Sequence, residues 1–319
     1  MPVFISRRLL SAAVTVLLAA VLVFAAVQLL PGDVAAQVLG QDATPDAVAA
    51  LRDRLGLDRP AVLRFLDWLA GAVRGDFGAS LVSGEPVADA LALHLRNTLL
   101  IAVATIAVAV TSSIVLGVLA GLYRDRWPDT VISSLTLIGM SVPEFVVATL
   151  LVLALSITVP VLPAVVLDEA SAPVADLLPA VVLPAAALSV VMTAYIVRMT
   201  RTSVIDVMAG EFVTTARLKG LGTWRVVVRH ALPSALLPTL NVIAMNVAWL
   251  VGGVVVVENV FNYPGVGTLM LEAVHNRDLP VLQAIAVVSA AVYVLCNLAA
   301  DLGALALDPR LRTRERSAR

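Results

Sequence analysis

The sequence has 319 residues, of which 60% are hydrophobic and 14% are charged, and its mean hydropathy is +0.96. Soluble domains are about 45–50% apolar and about 25% charged, so this composition excludes an ordinary water-soluble globule. The formal net charge of −1 also excludes a nucleic-acid-binding protein, which needs a basic face. A single cysteine, Cys296, excludes an internal disulfide framework and a cysteine-based metal cluster.

Six apolar segments are long enough to cross a bilayer, whose hydrocarbon core of about 30 Å needs roughly 20 helical residues. They cover residues 9–30, 98–122, 131–159, 177–197, 235–257 and 281–307. The first exceeds the roughly 7–15 residues of a signal-peptide core, so we interpret it as a retained helix. Prolines within the segments, such as Pro143 and Pro184, are tolerated where neighbouring helices satisfy the freed backbone groups. The sequence therefore predicts an all-α, polytopic membrane protein with six transmembrane helices.

The positions of arginine and lysine predict the orientation, because basic residues near helix ends stay in the cytoplasm. Arg7 and Arg8 precede the first segment, six basic residues lie within 198–229, and five arginines lie within 310–319. The loop 160–176, on the other side, contains no lysine or arginine. We therefore expect the N- and C-termini to be cytoplasmic.

Two polar segments divide the chain into regions. Residues 1–30 form the N-terminal segment with the first helix, 31–96 an extracytoplasmic cap, and 97–319 the membrane core with a cytoplasmic segment at 198–233 and a basic tail. The cap contains helical patterns around 47–55 and 62–69. Because connections of this length are uncommon unless functional, we interpret it as a lid or docking surface, with an inert connector as the alternative.

The cytoplasmic segment 198–233 carries an amphipathic pattern. Its apolar side chains recur at i, i+3 and i+4 spacing, which predicts one helix over 204–218. They are Val204, Val207, Met208, Phe212 and Ala216. Gly220 and Gly222 are expected to end this helix. Such a helix either lies on lipid headgroups or docks on a partner, and the periodicity alone leaves both possibilities open.

Within this segment, Thr214-Thr215-Ala216 is followed after three residues by Gly220, after nine further residues by His230, and after one more by Leu232-Pro233. This spacing resembles the EAA loop of permease subunits of ABC importers, which has Glu-Ala-Ala, Gly, Ile and Leu-Pro at these distances. The glycine, the Leu-Pro pair and Ala216 agree with the motif. Thr214, Thr215 and His230 depart from the motif. The peptide branch of the family generally lacks the glutamate as well.

Seven further fragments, in order over residues 5–311, are similar to the first permease subunit of dipeptide and oligopeptide importers. They are Leu30-Pro31-Gly32-Asp33, Leu55-Gly56-Leu57-Asp58-Arg59-Pro60, Arg74-Gly75-Asp76-Phe77-Gly78, Leu95-Arg96-Asn97-Thr98-Leu99, Ala194-Tyr195-Ile196-Val197-Arg198, Val257-Glu258-Asn259-Val260-Phe261-Asn262-Tyr263-Pro264-Gly265 and Leu307-Asp308-Pro309-Arg310. Each fragment is weak by itself, but the ordered set together with six apolar segments is specific.

The resemblance implies a type I ABC importer permease, multi-pass in the bacterial cytoplasmic (inner) membrane and surrounded by its lipid. This chain and a second, homologous permease subunit would form the path for a di- or oligopeptide delivered by an extracytoplasmic peptide-binding protein. Two cytoplasmic ATPase domains, which hold ATP and Mg²⁺, would drive transport. Nickel chelates, glutathione and sugars, which relatives import, remain alternative substrates.

The resemblance also implies that the loop 204–222 contacts the ATPase subunits. The expected coupling residues are Glu211, Phe212, Thr215, Ala216, Arg217, Lys219, Gly220 and Leu221. We expect Phe212 and Ala216 to enter the ATPase cleft and Gly220 to permit the tight turn that positions the helix.

No residues of the sequence point to catalysis, a cofactor or a metal. The only lysine, Lys219, is followed by Gly220, so the phosphate-binding pattern G-x-x-x-x-G-K-[ST] does not occur and the chain cannot hydrolyse ATP by that route. H-E-x-x-H, G-x-S-x-G and C-x-x-C do not occur either. The alternative from another class is a secondary transporter or channel, in which acidic residues within the membrane carry protons.

Two groups of residues are candidates for the path or its gate. Glu144 lies 13 residues beyond Val131, about 20 Å along a straight third helix. Burying its carboxylate in lipid costs about 2.5–3.5 kcal/mol on insertion scales, so it is expected to face protein or a water-filled path. It binds the amino group of a peptide, bonds a Ser or Thr on a neighbouring helix, or simply lies near the outer interface. The second group, expected to fold back at the outer mouth after the fifth helix, contains Glu258, Asn259, Phe261 and Asn262.

Overall fold

The computed structural model describes residues 2–29, 44–54, 58–167 and 169–307. In these ranges the regular structure is helical, apart from one isolated β-bridge between Ala79 and Pro86. The α-helices are α1 (Pro2–Leu29), α2 (Pro45–Arg54), α3 (Ala61–Val73), α4 (Val87–Leu122), α5 (Trp127–Ser141), α6 (Glu144–Val152), α7 (Val174–Met208), α8 (Glu211–Leu218), α9 (Thr223–Val226), α10 (Leu232–Phe261), α11 (Val266–His275) and α12 (Leu279–Leu307). Two π-helical segments follow α6 and α9 directly, at Leu153–Thr158 and Val227–Ala231. The fragment 30–33, residues 55–57 and the basic tail from 308 lie outside the described residues.

The described helices supply the predicted spans. Single helices that are long and apolar enough to cross a membrane are Arg8–Ala26 within α1, α4, α7 and Leu279–Ala299 within α12. Two bent pairs qualify when both arms are counted, Trp127–Ser141 with Glu144–Thr158 and Leu232–Val247 with Gly252–Phe261. The prediction of an all-α protein with six spans is therefore confirmed when each bent pair is counted as one span.

The third predicted segment is not one straight helix, which corrects the expectation for 131–159. It begins earlier, at Trp127, and the direction of its second arm is bent by 103° from that of the first. Pro143 lies at the corner, and Val142 before it is extended at φ −99° and ψ 123°. A residue that precedes proline is driven out of the helical region, so α5 ends there. Pro184, by contrast, lies inside the continuous helix α7.

The chain divides into two compact units. The first contains Met1–Leu99, Leu167–Val174 and Asn262–Leu295. Its core joins α4, α11 and α12 through buried side chains that include Val87, Leu91 and Ile285. Because Val87 and Leu91 belong to this core, α4 begins at Val87, inside the segment that the sequence assigns to the cap. The second span thus starts before the predicted residue 98.

The second unit contains Leu100–Val166, Ala175–Phe261 and Cys296–Arg319. Ala109 of α4 and Met192 and Ile196 of α7 are fully buried in its core, and side chains of α10 pack against them. The α7 helix has 35 residues and therefore rises about 52 Å, more than a bilayer core requires. Its last turns extend to the predicted coupling segment.

Candidate functional site

The coupling segment is two helices, not the single helix predicted over 204–218. The α7 helix ends at Met208, and α8 begins at Glu211 after a turn at Ala209 and Gly210. In that turn the N–H of Gly210 donates to the Val207 carbonyl at 3.1 Å. The i, i+3, i+4 spacing runs across the break in the sequence, but Phe212 is 48% exposed and Val213 is buried in its place, so Phe212 does not belong to the buried side.

A small apolar cluster fixes α8 to the rest of the segment. Val213 and Val226 are fully buried, Ala216 is 9% exposed, and Met208 and Leu221 pack against them. Ala216 therefore packs against the chain itself, and its entry into the ATPase cleft stays a prediction. An alanine at i+3 from Val213 has to share its side of the helix, which explains the placement.

Gly220 ends α8 through a left-handed backbone. Its φ is +78°, and an added Cβ would meet no atom within 4 Å. The Leu221 N–H donates to the Ala216 carbonyl at 3.3 Å, and the Lys219 N–H donates to the Thr215 carbonyl at 3.1 Å. The 6→1 bond and the contact of Leu221 with the Ala216 cluster are those of a Schellman cap. Glycine is required here for its backbone angle and not for space.

The side of α8 away from the cluster is uncovered in this chain. Phe212 is 48% exposed and Leu218 is 84% exposed, and Glu211, Thr215 and Lys219 are exposed as well. Phe212, Thr215 and Lys219 follow i, i+3, i+7 spacing, so they share one face. Of the predicted coupling residues, this face holds three, whereas Ala216 and the partly buried Leu221 hold the helix in place. The side chain of Arg217 lies outside the description.

An ion pair anchors the end of α7 that leads into α8. Arg201 donates from Nε to Oδ1 of Asp129 at 2.5 Å and from Nη2 to Oδ2 at 2.7 Å. The same carboxylate accepts from the Asp125 N–H at 2.9 Å and the Ser133 hydroxyl at 3.0 Å. The Asp129 side chain is 5% exposed and the Arg201 side chain 29%. This bidentate pair, which sequence reasoning did not find, ties the start of α5 to α7.

Two glycines of α4 let the same end of α7 approach closely. A Cβ on Gly117 would lie 2.5 Å from Cβ of Thr200, and a Cβ on Gly121 would lie 2.7 Å from Cγ1 of Val204. Any larger residue would push the helices apart. The ends of α4, α5 and α7 are therefore locked together directly before the coupling segment.

The second group of candidates, Glu258 to Asn262, lies mostly within α10 and not after it. The helix continues through Glu258, Asn259 and Phe261, and the chain leaves it at Asn262, which is exposed with φ +49°. Glu258 is fully buried and Phe261 is 1% exposed. The prediction that this stretch folds back after the helix holds only from Asn262 onward, where the chain turns at Pro264 and Gly265 into α11. Phe261 is thus unsuited to contact a soluble partner.

A polar cluster in the first unit joins two of the sequence fragments. Asn97 is fully buried, and its Nδ2 donates to the carbonyls of Pro264 at 2.9 Å and Ala170 at 3.1 Å. Arg96 donates from Nη2 to the Ala170 and Ala172 carbonyls at 2.9 and 2.8 Å. Sequence reasoning quoted Arg96 and Asn97 but gave them no role. Asn97 joins the loop at Ala170 to the turn that precedes α11, and Arg96 holds the loop at Ala170 and Ala172.

Glu144 lies at the corner of the bent third span, as the first residue of α6. It borders an open cleft of about 520 Å³, whose other polar or aromatic lining residues are Ser141, Tyr195, Asn246 and Trp249. Within the described residues, the partly buried Glu144 carboxylate makes no hydrogen bond or ion pair. The cleft is formed at the bends of the third and fifth spans and by α7.

The described residues contain no group of three or more His, Cys, Asp or Glu side chains placed to hold a metal ion. Three features thus stand out in the described residues. They are the exposed face of α8, whose other side is fixed to the chain, the polar cluster before α11, and the cleft bordered by the Glu144 carboxylate, which has no partner there.

Comparison with known proteins identifies the family. The model of the family described as "Binding-protein-dependent transport system inner membrane component" matches residues 113–313. The model described as "Binding-prot-dependent transport system membrane comp, N-term" matches residues 1–102. Together the two models cover nearly the whole chain.

Individual relatives match over almost their full length. The chain is 37% identical to the probable peptide ABC transporter permease protein y4tP of Sinorhizobium fredii, over 98% of this chain and 100% of the relative. It is 35% identical to the glutathione transport system permease protein GsiC of Escherichia coli K12, over 97% and 98% of the two chains. Among solved structures, a chain of the inward-facing MetNI methionine ABC transporter superposes with a TM-score of 0.56 at 17% identity, covering 68% of this chain and 96% of that one.

The chain therefore belongs to the family of inner-membrane components of binding-protein-dependent transport systems. It is the permease component of an ABC importer and a multi-pass protein of the bacterial cytoplasmic membrane, with the type I permease fold. In this family the ATPase lies in separate subunits.

Proposed function

We propose that this chain forms half of the translocation path for di- or oligopeptides and that its segment 204–222 couples the path to two cytoplasmic ATPase domains. A second, homologous permease subunit forms the other half, and an extracytoplasmic peptide-binding protein delivers the substrate. ATP and Mg²⁺ bind to the ATPase domains, because this chain lacks the phosphate-binding pattern and is not itself an enzyme.

The uncovered face of α8 is the observation that carries the coupling role. Phe212 and Leu218 expose apolar surface on a helix of eight residues whose other side is fixed by its own cluster. A helix that only rested on lipid headgroups would not need the preceding helix to be held firmly in place. The Asp129–Arg201 pair and the Gly117 and Gly121 contacts hold the end of α7 against α5 and α4, so a partner that displaces α8 acts on three helices that are held together.

The α7 helix supplies a route from the coupling segment to the Glu144 cleft. It carries Arg201 of the ion pair and, six residues earlier, Tyr195, which lines the cleft. The two positions are about 9 Å apart along the helix axis. A rigid shift of α7 on ATPase closure would therefore change the cleft, as alternating access requires.

The substrate class rests on the relatives. One is named as a probable peptide permease and another as a glutathione permease, and glutathione is itself a small peptide. Peptides share a backbone, an amino terminus and a carboxylate, so a transporter can hold them through these common groups with little selection of side chains. Nickel chelates and sugars remain alternatives within the same family.

The test is ATP-dependent peptide uptake by the complex in proteoliposomes. The complex with its ATPase subunits and binding protein should accumulate a labelled peptide only when ATP is present on the side of the membrane that the ATPase subunits face. This chain alone should not accumulate the peptide. A secondary transporter would instead move substrate without ATPase subunits, driven by a proton gradient. Uptake by the isolated chain would contradict the proposed function.

A further inference from the structure

The cleft at the corner of the third span has the chemistry of a cation site. We propose that Glu144 and its neighbours bind the positively charged amino terminus of the transported peptide. This inference rests on the proposed function and names the substrate group that the cleft recognises. Its occupant is an ammonium group, which every peptide with a free amino terminus carries.

The polar side chains of the cleft offer hydrogen-bond acceptors. The Glu144 carboxylate has two acceptor oxygens and no partner within the described residues. Asn246 donates from Nδ2 to the Val242 carbonyl at 2.8 Å, and Ser141 donates from its hydroxyl to the Leu137 carbonyl at 2.8 Å. Ser141 has thus used its one donor and Asn246 one of its two, and the oxygen atoms of both side chains are left to accept. An ammonium group is donor-only, with three N–H bonds when it is primary.

Two aromatic residues complete the match to an organic cation. Trp249 and Tyr195 border the same cleft, and the faces of indole and phenol rings attract ammonium groups. The Trp249 ring lies beside Gly253, where an added Cβ would be 3.4 Å from the ring. A carboxylate with neutral acceptors and aromatic faces suits an ammonium group better than an anion or an uncharged sugar.

The position of the cleft explains how binding would be linked to transport. Its walls come from the corner between α5 and α6, from α7, and from α10 near its bend. Next to the corner α5 packs against α7, where a Cβ added at Gly139 would make an ordinary contact of 3.4 Å with Cβ of Ala194. Because α7 also carries the coupling segment, the cleft is placed to release its ligand when α7 moves.

The experiment is equilibrium binding of two labelled tripeptides to the purified complex, in the absence of the binding protein. The probes are trialanine and N-acetyl-trialanine, in which an acetyl group replaces the charge of the amino terminus. Glu144→Gln should weaken trialanine binding at least tenfold and leave N-acetyl-trialanine unchanged. Glu144→Asp, which keeps the charge, should weaken trialanine binding less. Glu272→Gln, which removes an exposed carboxylate outside the cleft, should change neither value.

A third probe, N-acetyl-Ala-Ala-Lys, places the ammonium group on a side chain. If Glu144→Gln weakens only this probe, or weakens all probes equally or none, the inference is overturned. It is also overturned if the wild-type complex does not bind trialanine saturably. Should Glu144→Gln fail to assemble, Glu144→Asp and Trp249→Leu replace it, and both must reduce the preference for trialanine over its acetylated form. ATP-dependent uptake by the wild type, measured separately, reports on the proposed function and not on this site.

Discussion

The third span carries two carboxylates in opposite situations. Asp129, near its start, is almost fully buried and accepts four hydrogen bonds, two of them from Arg201. Glu144, at the corner 15 residues later, borders a cleft and has no partner within the described part of the chain. The same chemical group thus holds helices together at one end of α5 and remains available at the other.

This difference separates structure from function by a physical criterion. A buried charge has to be compensated, and at Asp129 the chain does so itself. At Glu144 the nearby groups are neutral acceptors and aromatic rings, so the compensation has to come from water or a ligand. Variants at Asp129, and at the glycines of α4 that contact α7, are compared with variants at positions where the chain makes no close contact or buried ion pair.

Removing Asp129 should have the largest effect on stability. Asp129→Ala leaves Arg201 without its partner, and breaking a buried pair from one side costs about 3 kcal/mol, the lower end of the usual range, because Arg201 is partly exposed. Thermal unfolding of the purified complex measures the loss. The control is Arg124→Ala, which removes an exposed pair with Asp125 and should change stability by less than about 1 kcal/mol. Equal effects of the two variants would show that the Asp129–Arg201 pair does not contribute more to stability than an exposed pair.

Filling the close contact between α4 and α7 should have the next largest effect. Gly117→Val and Gly121→Val place atoms within 2.7 Å of α7 and should each cost about 2 kcal/mol. The matched control is Gly252→Ala, since an added Cβ at Gly252 meets nothing within 4 Å and alanine favours a helix. If thermal unfolding ranks Gly252→Ala with the α4 variants, the close contact is not the cause.

Replacing Gly220 should have a smaller effect on stability but a clear one on coupling. Gly220→Val forces a β-branched residue to φ near +78°, at a cost of about 1–2 kcal/mol. We expect the complex to assemble and its peptide-stimulated ATP hydrolysis to fall. Gly222→Ala is the control, because Gly222 has neither a positive φ nor a close neighbour. Wild-type hydrolysis and transport by Gly220→Val would remove α8 and its turn from the coupling mechanism.

The sequence predicts the spans and the coupling segment because both leave local signals. Runs of apolar residues mark the spans, and Gly220 with Leu232-Pro233 marks the loop at fixed spacing. The break at Gly210 is hidden, because Met208, Phe212 and Ala216 keep a helical spacing across the turn, although Phe212 is 48% exposed and Val213 is buried in its place. For the same reason the burial of Ala216 within the chain is not visible in the pattern.

Long-range polar contacts were beyond sequence reasoning. Asp129 and Arg201 are 72 residues apart, and Asn97 reaches the Pro264 carbonyl across 167 residues. Nothing local distinguishes these residues from other polar groups at helix ends. Pro143 gave a usable signal, because the residue before a proline disfavours helix, but the same signal at Pro184 accompanies a continuous helix. Only the packing around each proline separates the two cases.

Site-specific crosslinking tests the coupling role of α8 most directly. In a chain with Cys296→Ser, a cysteine introduced by Phe212→Cys or Thr215→Cys should crosslink to an ATPase subunit in the assembled complex, since both positions lie on the exposed face of α8. Val62→Cys on α3, which is exposed and predicted to lie outside the cytoplasm, should not crosslink to it. A complex that transports peptide but gives no crosslink from Phe212→Cys or Thr215→Cys, with or without ATP, would contradict the proposed coupling through α8.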